Sequence, residues 1–440
     1  MPTISELALE HYLASLPDLG ARPQGGMRSS DFTLERMQAL VAALGHPEQK
    51  YSTLHIAGTN GKGSVSALCG AALQAQGYRV GLFTSPHLRG ALQGIAINGN
   101  VVEQAELEES FRVMRSHLEE GKGWTNFEVV TALAFLHFAR AHVDAAVIEV
   151  GLGGRLDATN VITPLVSVIT AIDYDHTSIL GERLEQIASE KAGIIKPGVP
   201  VVISPQMPEA REALIHAALE KGAPLTEVGT DVFFERGAFD LTGQDLRVWR
   251  ANEPEEAQPL RIPLLGAHQV ENAATAYAAL QEVNERGLDL EETAIRQGFA
   301  ETHWPGRFEI LQENPFLILD AAHSPAAASA LRQALDDYFK GKPVILILGV
   351  SVDKDLKSLM TSLQPLVRHA IATQSAHPRA WPAEDLQERL TQLGLSAQNE
   401  PDPARALKRA LEQAGDKEVV LVCGSVFLVE QIREIYFATK

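Results

Sequence analysis

The sequence predicts an α/β fold with two domains, the larger of them N-terminal and built on a mostly parallel sheet. Short apolar runs of strand length alternate with helical patterns along most of the chain, which is typical of parallel sheets with helical crossovers. The chain has 440 residues, more than one hydrophobic core comfortably holds. We predict one domain over residues 1–302 and a smaller Rossmann-like α/β domain over residues 303–440.

The first domain is expected to begin with a mainly helical stretch over residues 1–50. Apolar runs then predict strands at residues 51–57, 79–83, 145–150, 165–169 and 199–203. The spacing of apolar residues between them predicts helices at residues 103–120, 127–141 and 182–195. Residues 224–262 are richer in Gly, Thr and Val, which predicts a small antiparallel addition, and a helix follows from about His268.

A second α/β series begins after His303-Trp304-Pro305-Gly306, where the helical pattern breaks. Its predicted strands are residues 316–320, 344–348, 370–373 and 419–423. Its predicted helices are residues 326–339, 383–393 and 403–413. This break is the reason for the predicted domain boundary near residue 303.

Composition narrows the possible partners and the compartment. The formal net charge is −18, so a nucleic-acid backbone or an anionic membrane would be repelled on average. Cys69 and Cys423 are the only cysteines and lie in apolar segments, which favours a reducing compartment over a disulfide framework. No secretory signal and no membrane-spanning run of about 20 apolar residues is visible. We expect a cytoplasmic monomer that acts on small molecules.

A glycine-rich loop, Gly58-Thr59-Asn60-Gly61-Lys62-Gly63-Ser64, lies between a predicted strand and a predicted helix. In this context backbone N–H groups can surround phosphate oxygens, a lysine can neutralise the outer phosphates and a hydroxyl can help to hold Mg²⁺. A structural turn is the alternative, because the spacing differs from the common P-loop pattern. The combination of strand, lysine, hydroxyl and helix favours binding of a nucleoside triphosphate.

Further polar residues follow other predicted strands, where open α/β sheets bind ligands. Glu149 ends a strand and precedes a glycine-rich turn, so its carboxylate suits Mg²⁺, with a capping acid as the alternative. His176 and Ser85 also follow strands, and each could equally be a residue of an ordinary loop. Lys191 could simply complement a helix dipole. In the second domain Arg307, Asp320, His323 and Lys354 lie near strand ends, as a second half-site would require.

These motifs, taken in order, resemble the folylpolyglutamate synthase/dihydrofolate synthase branch of the Mur ligase family. The resemblance rests on G-T-N-G-K-G-S, S-P-H-L, E-V-G-L-G-G-R-L-D-A-T-N, D-H-T, E-K-A-G-I-I-K-P-G, H-Q-x-x-N-A, P-G-R-F-E, D-A-A-H and D-K-D. It extends from about residue 20 to the C-terminus. The resemblance implies a P-loop ATPase domain and a reaction in which ATP activates a pteroate or folate carboxylate as an acyl phosphate, which the amino group of L-glutamate then attacks.

The resemblance also implies residue roles. The nucleotide would be held by Thr59, Asn60, Gly61, Lys62, Gly63, Ser64, Asn272, Arg307 and Asp320. Magnesium, at two sites, would be held by Ser85, Glu149, His176 and Lys191, the last as a carbamate. His323 and Lys354 would act near glutamate and the acyl phosphate, so the implied catalytic set is Lys62, Glu149, His176, Lys191, His323 and Lys354. Dihydropteroate or tetrahydrofolate would contact Arg22, Arg28, Thr125, Asn126, Phe127, Leu156, Asp157 and Ala158.

Two positions depart from the family pattern: Ser324 replaces the usual Asn, and Gln93-Gly94 replaces the usual Glu-Arg. Alternatives to a bifunctional ligase are a folylpolyglutamate synthase with one activity, a nucleotide-binding ATPase without synthetic activity, and a small-molecule kinase. A cell-wall precursor ligase is disfavoured, because only 57 residues precede Gly58 and those enzymes carry a whole domain there. The Arg155-Leu156-Asp157-Ala158 stretch resembles that of bacterial bifunctional members, and this resemblance implies both glutamylation activities.

Overall fold

The computed structural model describes residues 8–17, 33–85, 91–118, 123–415 and 417–440. The chain divides into two compact units. One contains the described residues of Met1–Ala238, Asp245–Pro263 and Val270–Thr302, and the other contains Phe239–Gln244, Leu264–Gln269 and the described residues of His303–Lys440. The two short segments before residue 270 therefore group with the C-terminal unit, whereas the sequence predicted a single division at residue 303.

The first unit begins with helices and then alternates strands and helices. Its helices are α1 (Leu9–Ser15), α2 (Glu35–Ala43), α3 (Lys62–Ala75), α4 (Gln104–Met114), α5 (Asn126–Arg140), α6 (Thr177–Leu180), α7 (Leu184–Ala192), α8 (Pro208–Lys221), α9 (Ala267–Glu285) and α10 (Glu292–Glu301). Its strands are β1 (Ser52–Ala57), β2 (Val80–Phe83), β3 (Ile95–Ile97), β4 (Asn100–Val101), β5 (Ala145–Glu149), β6 (Val166–Ile169), β7 (Val201–Ile203), β8 (Leu225–Glu227), β9 (Val232–Asp240), β10 (Gly243–Arg250) and β11 (Gln258–Ile262).

The main sheet of this unit has eight strands in the order β4-β3-β2-β5-β1-β6-β7-β8. Strands β2, β5, β1, β6, β7 and β8 pair in parallel, and β3 and β4 add an antiparallel edge. The central strands are continuously buried, as expected for parallel strands covered on both faces. The predicted α/β class with a mostly parallel sheet is confirmed.

Strand β1 lies between β5 and β6, although both follow it in the chain, so their carboxyl ends form one edge. Ile56 pairs with Glu149 on one side, and Ala57 pairs with Ile169 on the other. In open α/β sheets ligands bind beyond such ends. The loops that follow Ala57, Glu149 and Ile169 are thereby brought side by side.

The second unit has its own six-stranded sheet in the order β12-β13-β17-β14-β15-β16. Among the strand pairs of this sheet that the structure describes, β12–β13 alone is antiparallel. Its strands are β12 (Glu309–Glu313), β13 (Phe316–Leu319), β14 (Val344–Leu348), β15 (Val367–Ala372), β16 (Ala397–Asn399) and β17 (Val419–Cys423). Its helices are α11 (Pro325–Tyr338), α12 (Leu356–Leu363), α13 (Ala383–Gln392), α14 (Pro403–Gln413) and α15 (Val426–Ala438).

Apolar side chains cover both faces of this second sheet, as its parallel strands require. One core is formed around Leu346 and Leu421, and the other around Ile347 and Val420. Successive residues of one strand therefore serve opposite cores, which is the period of two expected for a strand. Among the described residues of the whole chain, no helix has the length and apolar character needed to span a bilayer.

Candidate functional site

The loops after β1, β5 and β6 enclose a small cavity of about 30 Å³ in the first unit. Its lining includes Thr59 and Lys62 from the glycine loop, Gly153 from the turn after β5, His176 from the loop after β6, and Lys191 from α7. A space of this size holds a water molecule or an ion. Four predicted site residues thus share one cavity at the carboxyl edge of the sheet.

The glycine loop turns tightly against the loop after β6. Gly58 has φ +142°, and a Cβ atom there would collide with the side chain of Thr170. The N–H groups of Thr59 and Asn60 both donate to Ala171 O at 3.0 Å. These two amides are therefore engaged within the protein, which leaves phosphate contacts to the amides that come next in the loop and at the start of α3.

Helix α3 begins at Lys62 and offers an open N-terminus. Val65 donates the first intrahelical hydrogen bond, to Gly61 O at 2.9 Å, so the amides of residues 62–64 precede the hydrogen-bonded ladder. Ser64 is buried one residue beyond Gly63. Such an end attracts anions through its N–H groups and the helix dipole. This is the part of the predicted phosphate loop that the structure leaves best arranged for phosphate.

Lys62 and Glu149 face each other across this edge. Lys62 Nζ lies 3.9 Å from Glu149 Oε1 and donates to Thr59 O at 3.3 Å. Glu149 is buried, and its Oε2 accepts the N–H of Ser85 at 3.4 Å. Ser85 Oγ is itself buried, with no hydrogen-bond partner among the residues that the structure describes. Ser85, Glu149 and Lys62 are therefore neighbours.

His176 stands in a left-handed conformation with φ +50°, a region that non-glycine residues seldom adopt. The side chain of Asp175 accepts its N–H at 2.8 Å, and the two side chains approach to 3.7 Å. Asp175 was not predicted as a site residue. Its position beside His176 in an Asp-Tyr-Asp-His sequence was the signal that could have identified it.

Lys191 is almost fully buried near the C-terminus of α7, and its Nζ donates to Gly58 O at 2.7 Å. Burial and, to a smaller extent, the positive charge of Lys62 lower the pKa of its amine to about 7, against the opposing charges of Asp175 and Asp157. The predicted lysine therefore reaches the glycine loop. Near neutral pH a substantial fraction of its amine is uncharged.

Lys191→Met should make folding stability less dependent on pH. The pKa of Lys191 is about 7 in the folded chain against an ordinary value of 10.5. Between these values the unfolded chain binds the proton and the folded chain does not, so stability due to this residue rises with pH. The free energy of unfolding of the variant should therefore exceed that of the original chain. The excess should be largest at pH 7 and below and should shrink toward pH 10.5.

Denaturant unfolding in bicarbonate-free buffer at about pH 7 and about pH 10 measures this difference. Lys408→Met serves as the control, since Lys408 is 75% exposed and should show no such change. The prediction would be contradicted if the free energies of unfolding of Lys191→Met and the original chain differed by the same amount at both pH values.

Asn272 of α9 lies against the glycine loop. A Cβ atom on Gly61 would collide with its Oδ1, and Gly61 has φ +92°. The absence of a side chain at position 61 therefore allows the amide of Asn272 to approach the loop backbone. The structure thus brings Asn272 to the predicted phosphate loop from a distant part of the chain.

Several residues predicted to contact the pterin have their side-chain polar groups engaged locally. Thr125 caps α5 in a capping box with Glu128, whose carboxylate accepts the N–H of Thr125 at 2.9 Å. The amide of Asn126 donates to Leu13 O at 3.1 Å. Both residues therefore stabilise the start of α5 and its connection to α1. Arg22 and Arg28 lie outside the described residues.

The other predicted pterin contacts surround the turn after β5. The ring of Phe127 lies against Gly151, where a Cβ atom would come within 2.5 Å of its Cζ. Leu156 is half-buried, Ala158 begins a short 3₁₀ helix, and Asp157 is buried with both carboxylate oxygens engaged by the protein. Phe127 and Leu156 are thus the two of these side chains with surface remaining for a ligand.

In the second unit, Arg307 and Asp320 belong to one tightly bonded loop. The carboxylate of Asp320 accepts the N–H groups of Phe308 at 2.9 Å and Ala322 at 2.8 Å. Burial raises the pKa of Asp320, partly offset by the charge of Arg307. Phe308 is buried and has φ +48°, a strained conformation for a bulky residue. This strain sets the backbone direction immediately after Arg307.

His323 and Ser324 follow directly. His323 Nδ1 lies 2.9 Å from Ala321 O, so Nδ1 carries the proton and donates. Ser324 Oγ accepts the N–H of Ala327 at 3.3 Å as the N-cap of α11. The serine at this departure from the family pattern therefore performs the capping role. The other departure, Gln93-Gly94, falls in a 3₁₀ helix at Ala91–Gly94, where Gly94 O accepts the N–H of Thr84.

Lys354 lies in the loop between β14 and α12. Its N–H donates to Ser351 O at 3.1 Å, and its side chain is half-buried. The preceding Asp353 pairs with Arg379 at 3.2 Å, so the loop is fixed to the one after β15. Arg379 was not predicted, because nothing in the local sequence connects it with Asp353.

The residues around Glu149 fit a magnesium ion. The buried hydroxyl of Ser85 lacks a hydrogen-bond partner within the described chain, and the Glu149 carboxylate lies next to it. Mg²⁺ prefers few carboxylate ligands together with other oxygens. No group of three His, Cys, Asp or Glu side chains suited to a metal occurs among the described residues. Phosphate oxygens and water would therefore have to complete the coordination.

Comparison with known proteins matches each of the two units to a domain of the Mur ligases. The sequence profile of the Mur ligase middle domain matches residues 56–280, and that of the Mur ligase glutamate ligase domain matches residues 306–426. The dihydrofolate synthase/folylpolyglutamate synthase of Bacillus subtilis is 37% identical over 91% of this chain and 94% of its own length. The folylpolyglutamate synthase of Lacticaseibacillus casei is 33% identical over 92% of this chain and 94% of its own.

A solved structure agrees. Escherichia coli FolC in complex with DHPP and ADP superimposes with a TM-score of 0.86 at 33% identity, and the match covers all of both chains. Sequence and fold thus match over the whole length and not only at the glycine loop. The chain belongs to the Mur ligase family, in its dihydrofolate synthase/folylpolyglutamate synthase branch.

Proposed function

We propose that this chain is an ATP-dependent ligase that joins L-glutamate to dihydropteroate and to tetrahydrofolate through an acyl phosphate. The observation that carries the proposal is the cavity shared by Lys62, His176 and Lys191 beside Glu149, in a chain whose full-length relatives are named for these two activities. A positively charged loop and a buried carboxylate at one edge suit a metal-bound triphosphate.

The nucleotide would be bound by the open N-terminus of α3 together with Lys62. The amides of residues 62–64 would contact the phosphates, and Lys62 would neutralise the outer ones. Asn272, which lies against Gly61, would contact the nucleotide from the other side of the loop. Thr59 and Asn60 would act mainly by shaping the loop, because their N–H groups already donate to Ala171 O.

Ser85, Glu149 and His176 would hold Mg²⁺. When bound, Mg²⁺ would neutralise charge on the transferring phosphoryl group. Glu149 would keep its orientation through the N–H of Ser85, and the Ser85 hydroxyl would gain the partner that it lacks among the described residues.

Lys191 would be carbamylated and would hold a second Mg²⁺. A neutral amine adds to carbon dioxide, forming an N–C bond and releasing one proton, and the lowered pKa of Lys191 supplies that neutral amine. The product is an anionic oxygen donor in place of an ammonium group that would repel a divalent cation. Mass spectrometry of the intact protein, kept in bicarbonate at about pH 8, should reveal the added mass of one carbon dioxide. Its absence would restrict the chain to one metal site.

The reaction then proceeds in two steps. A carboxylate oxygen of the pteroate or folate attacks the γ-phosphorus, and the bond to the leaving ADP breaks. The glutamate amine attacks the acyl carbon, phosphate leaves, and the amine gives up a proton as the amide forms. No nucleophilic side chain is needed, so the protein contributes positioning and charge neutralisation.

The two units would divide the substrates between them. Residues 1–302 would bind ATP and the pterin compound, with Phe127 and Leu156 offering apolar surface and Asp157 and Ala158 contributing backbone. Residues 303–440 would bind glutamate, with His323 and Lys354 near the acyl phosphate. Arg307 and Asp320 would contact the nucleotide. We also propose that the protein works as a cytoplasmic monomer, which size-exclusion chromatography tests for the oligomeric state.

The test is phosphate release by the purified protein with ATP, Mg²⁺ and glutamate, given either dihydropteroate or tetrahydrofolate. Release that requires both glutamate and a pterin compound supports ligation, and release with either compound supports both activities. Activity with tetrahydrofolate alone would favour the single activity for which the L. casei relative is named. Release that ignores glutamate would indicate an ATPase or a kinase instead.

A further inference from the structure

We propose that His55, Thr159 and Asp157 form a buried chain of hydrogen bonds that holds the turn at residues 151–153 in the shape that the nucleotide site needs. These three are positioning residues, and none of them touches the reacting atoms. The inference rests on the proposed function only for its kinetic consequences. Its structural part stands on the geometry of the first unit.

Asp157 is the centre of this chain of hydrogen bonds. Its Oδ2 accepts the N–H groups of Gly151 at 3.1 Å and Leu152 at 2.9 Å. Its Oδ1 accepts the N–H of Thr159 at 3.0 Å and the Thr159 hydroxyl at 2.5 Å. Four hydrogen bonds use the acceptor capacity of a carboxylate. Its oxygens therefore serve the turn and are not available to a substrate.

His55 extends the chain of hydrogen bonds into the central strand. It is fully buried on β1, and its Nε2 lies 2.9 Å from Thr159 Oγ1. Thr159 has one hydroxyl proton, and it donates that proton in the hydrogen bond to Asp157. Thr159 Oγ1 must therefore accept its hydrogen bond from His55. His55 is therefore the neutral tautomer with its proton on Nε2. Its Nδ1 is buried with no hydrogen-bond partner in the described chain.

A buried histidine with an unsatisfied nitrogen destabilises a sheet, so an apolar residue at position 55 would serve a purely structural role better. The histidine supplies an N–H that donates to Thr159. The Thr159 hydroxyl can then donate its own proton to Asp157. The carboxylate then fixes two successive amides of the turn. The donors therefore converge on Asp157, from His55 through the Thr159 hydroxyl on one side and from the amides of the turn on the other.

The turn that these bonds fix lies in the site itself. Gly151, Leu152 and Gly153 line the cavity together with His176 and Lys191. The ring of Phe127 lies against Gly151 on another side. A shift of the turn would therefore alter the space for phosphate and metal. Loss of supporting contacts one layer behind a site typically reduces affinity or activity by about tenfold to a hundredfold.

Paired variants separate positioning from bulk stability. Thr159→Val keeps the shape and removes the hydroxyl, whereas Thr159→Ser keeps the hydroxyl. His55→Leu removes the donor, whereas the side-chain amide of His55→Gln can replace it. Ser167→Ala is the matched control, because Ser167 is a buried residue paired with His55 across the sheet and its hydroxyl donates elsewhere, to Ile194 O. All are made in the full chain.

The first measurement is calorimetric titration with MgATP. Thr159→Val and His55→Leu should weaken MgATP binding by about tenfold, while Thr159→Ser, His55→Gln and Ser167→Ala should stay within about twofold. In ligase assays the same two variants should have a lower kcat/KM for the pterin compound and an unchanged KM for glutamate. Unchanged MgATP affinity in Thr159→Val, or equal weakening in Ser167→Ala, would overturn the proposal.

The second measurement is the tautomer of His55 by nitrogen-15 NMR of histidine-labelled protein, with His55→Gln identifying the resonance by its loss. A proton on Nε2 supports the direction of the bonds, and a proton on Nδ1 overturns it. Neither this result nor MgATP affinity requires ligase activity. An original chain that binds MgATP yet makes no amide would therefore refute the proposed function and leave this inference standing.

Discussion

Lys62→Ala should abolish amide formation while the protein remains folded. The Nζ of Lys62 is the positive charge that lies next to both the buried Glu149 carboxylate and the open start of α3. A charge aimed at the transferring phosphoryl group acts on the transition state, and losing such a group costs about 10³-fold or more in kcat/KM. The variant should release phosphate at no more than the background rate in the assay with all three substrates.

The fold should tolerate this change. The Lys62 ammonium makes one 3.3 Å hydrogen bond, to Thr59 O, and its charge opposes the protonated form of Lys191. Removing that charge should raise the pKa of Lys191 toward its ordinary value. Circular dichroism and the unfolding midpoint should be nearly unchanged.

Lys408→Ala is the matched control for Lys62→Ala. Lys408 is 75% exposed on α14, and its substitution should leave both activity and the unfolding midpoint unaltered. If Lys62→Ala kept more than about a tenth of the original activity, Lys62 would be removed from the mechanism. That remaining activity is far above what the loss of a phosphate-binding charge should leave.

The regular elements of the fold could be predicted where apolar runs are long and clearly bounded. Strands Val344–Leu348 and Val419–Cys423 and helix Pro403–Gln413 have the predicted bounds. The hairpin of Ile95–Ile97 and Asn100–Val101 was missed, because its strands are short and the second is exposed. Ala397–Asn399 was missed for a similar reason, since an edge strand of three residues has little apolar signal.

The candidate site could be predicted in part, because residues directly after buried strands fall at one edge of a parallel sheet. Glu149 and His176 were predicted by this rule, and Lys62 was predicted from its glycine-rich loop between a strand and a helix. The rule says nothing about what a side chain contacts once folded. The sequence therefore could not reveal that both carboxylate oxygens of Asp157 accept hydrogen bonds from its own loop. Nor could it reveal that His55, on a buried strand, donates to Thr159. The contact between His55 and Thr159 depends on three-dimensional packing between segments about a hundred residues apart.

Glu149→Gln should also abolish synthesis, through loss of metal binding instead of loss of a positive charge. Glutamine has the same shape as glutamate, and its side-chain oxygen can still accept the N–H of Ser85, which now lies 3.4 Å from the carboxylate. The negative charge that a hard divalent cation requires is lost. We expect kcat/KM to fall by about 10²-fold or more and the Mg²⁺ concentration for half-maximal rate to rise.

Activity measured against Mg²⁺ concentration separates this prediction from that for Lys62. Glu149→Gln should recover part of its rate as Mg²⁺ is raised, and Lys62→Ala should not, because its metal ligands are intact. Glu400→Gln is the control: Glu400 is equally buried, follows the edge strand Ala397–Asn399 in the second unit, and pairs with Arg405 and Arg409. It should retain activity with an unaltered Mg²⁺ response. An unaltered Mg²⁺ response in Glu149→Gln would show that this carboxylate does not hold the metal, and the magnesium site would then have to be sought away from the end of β5.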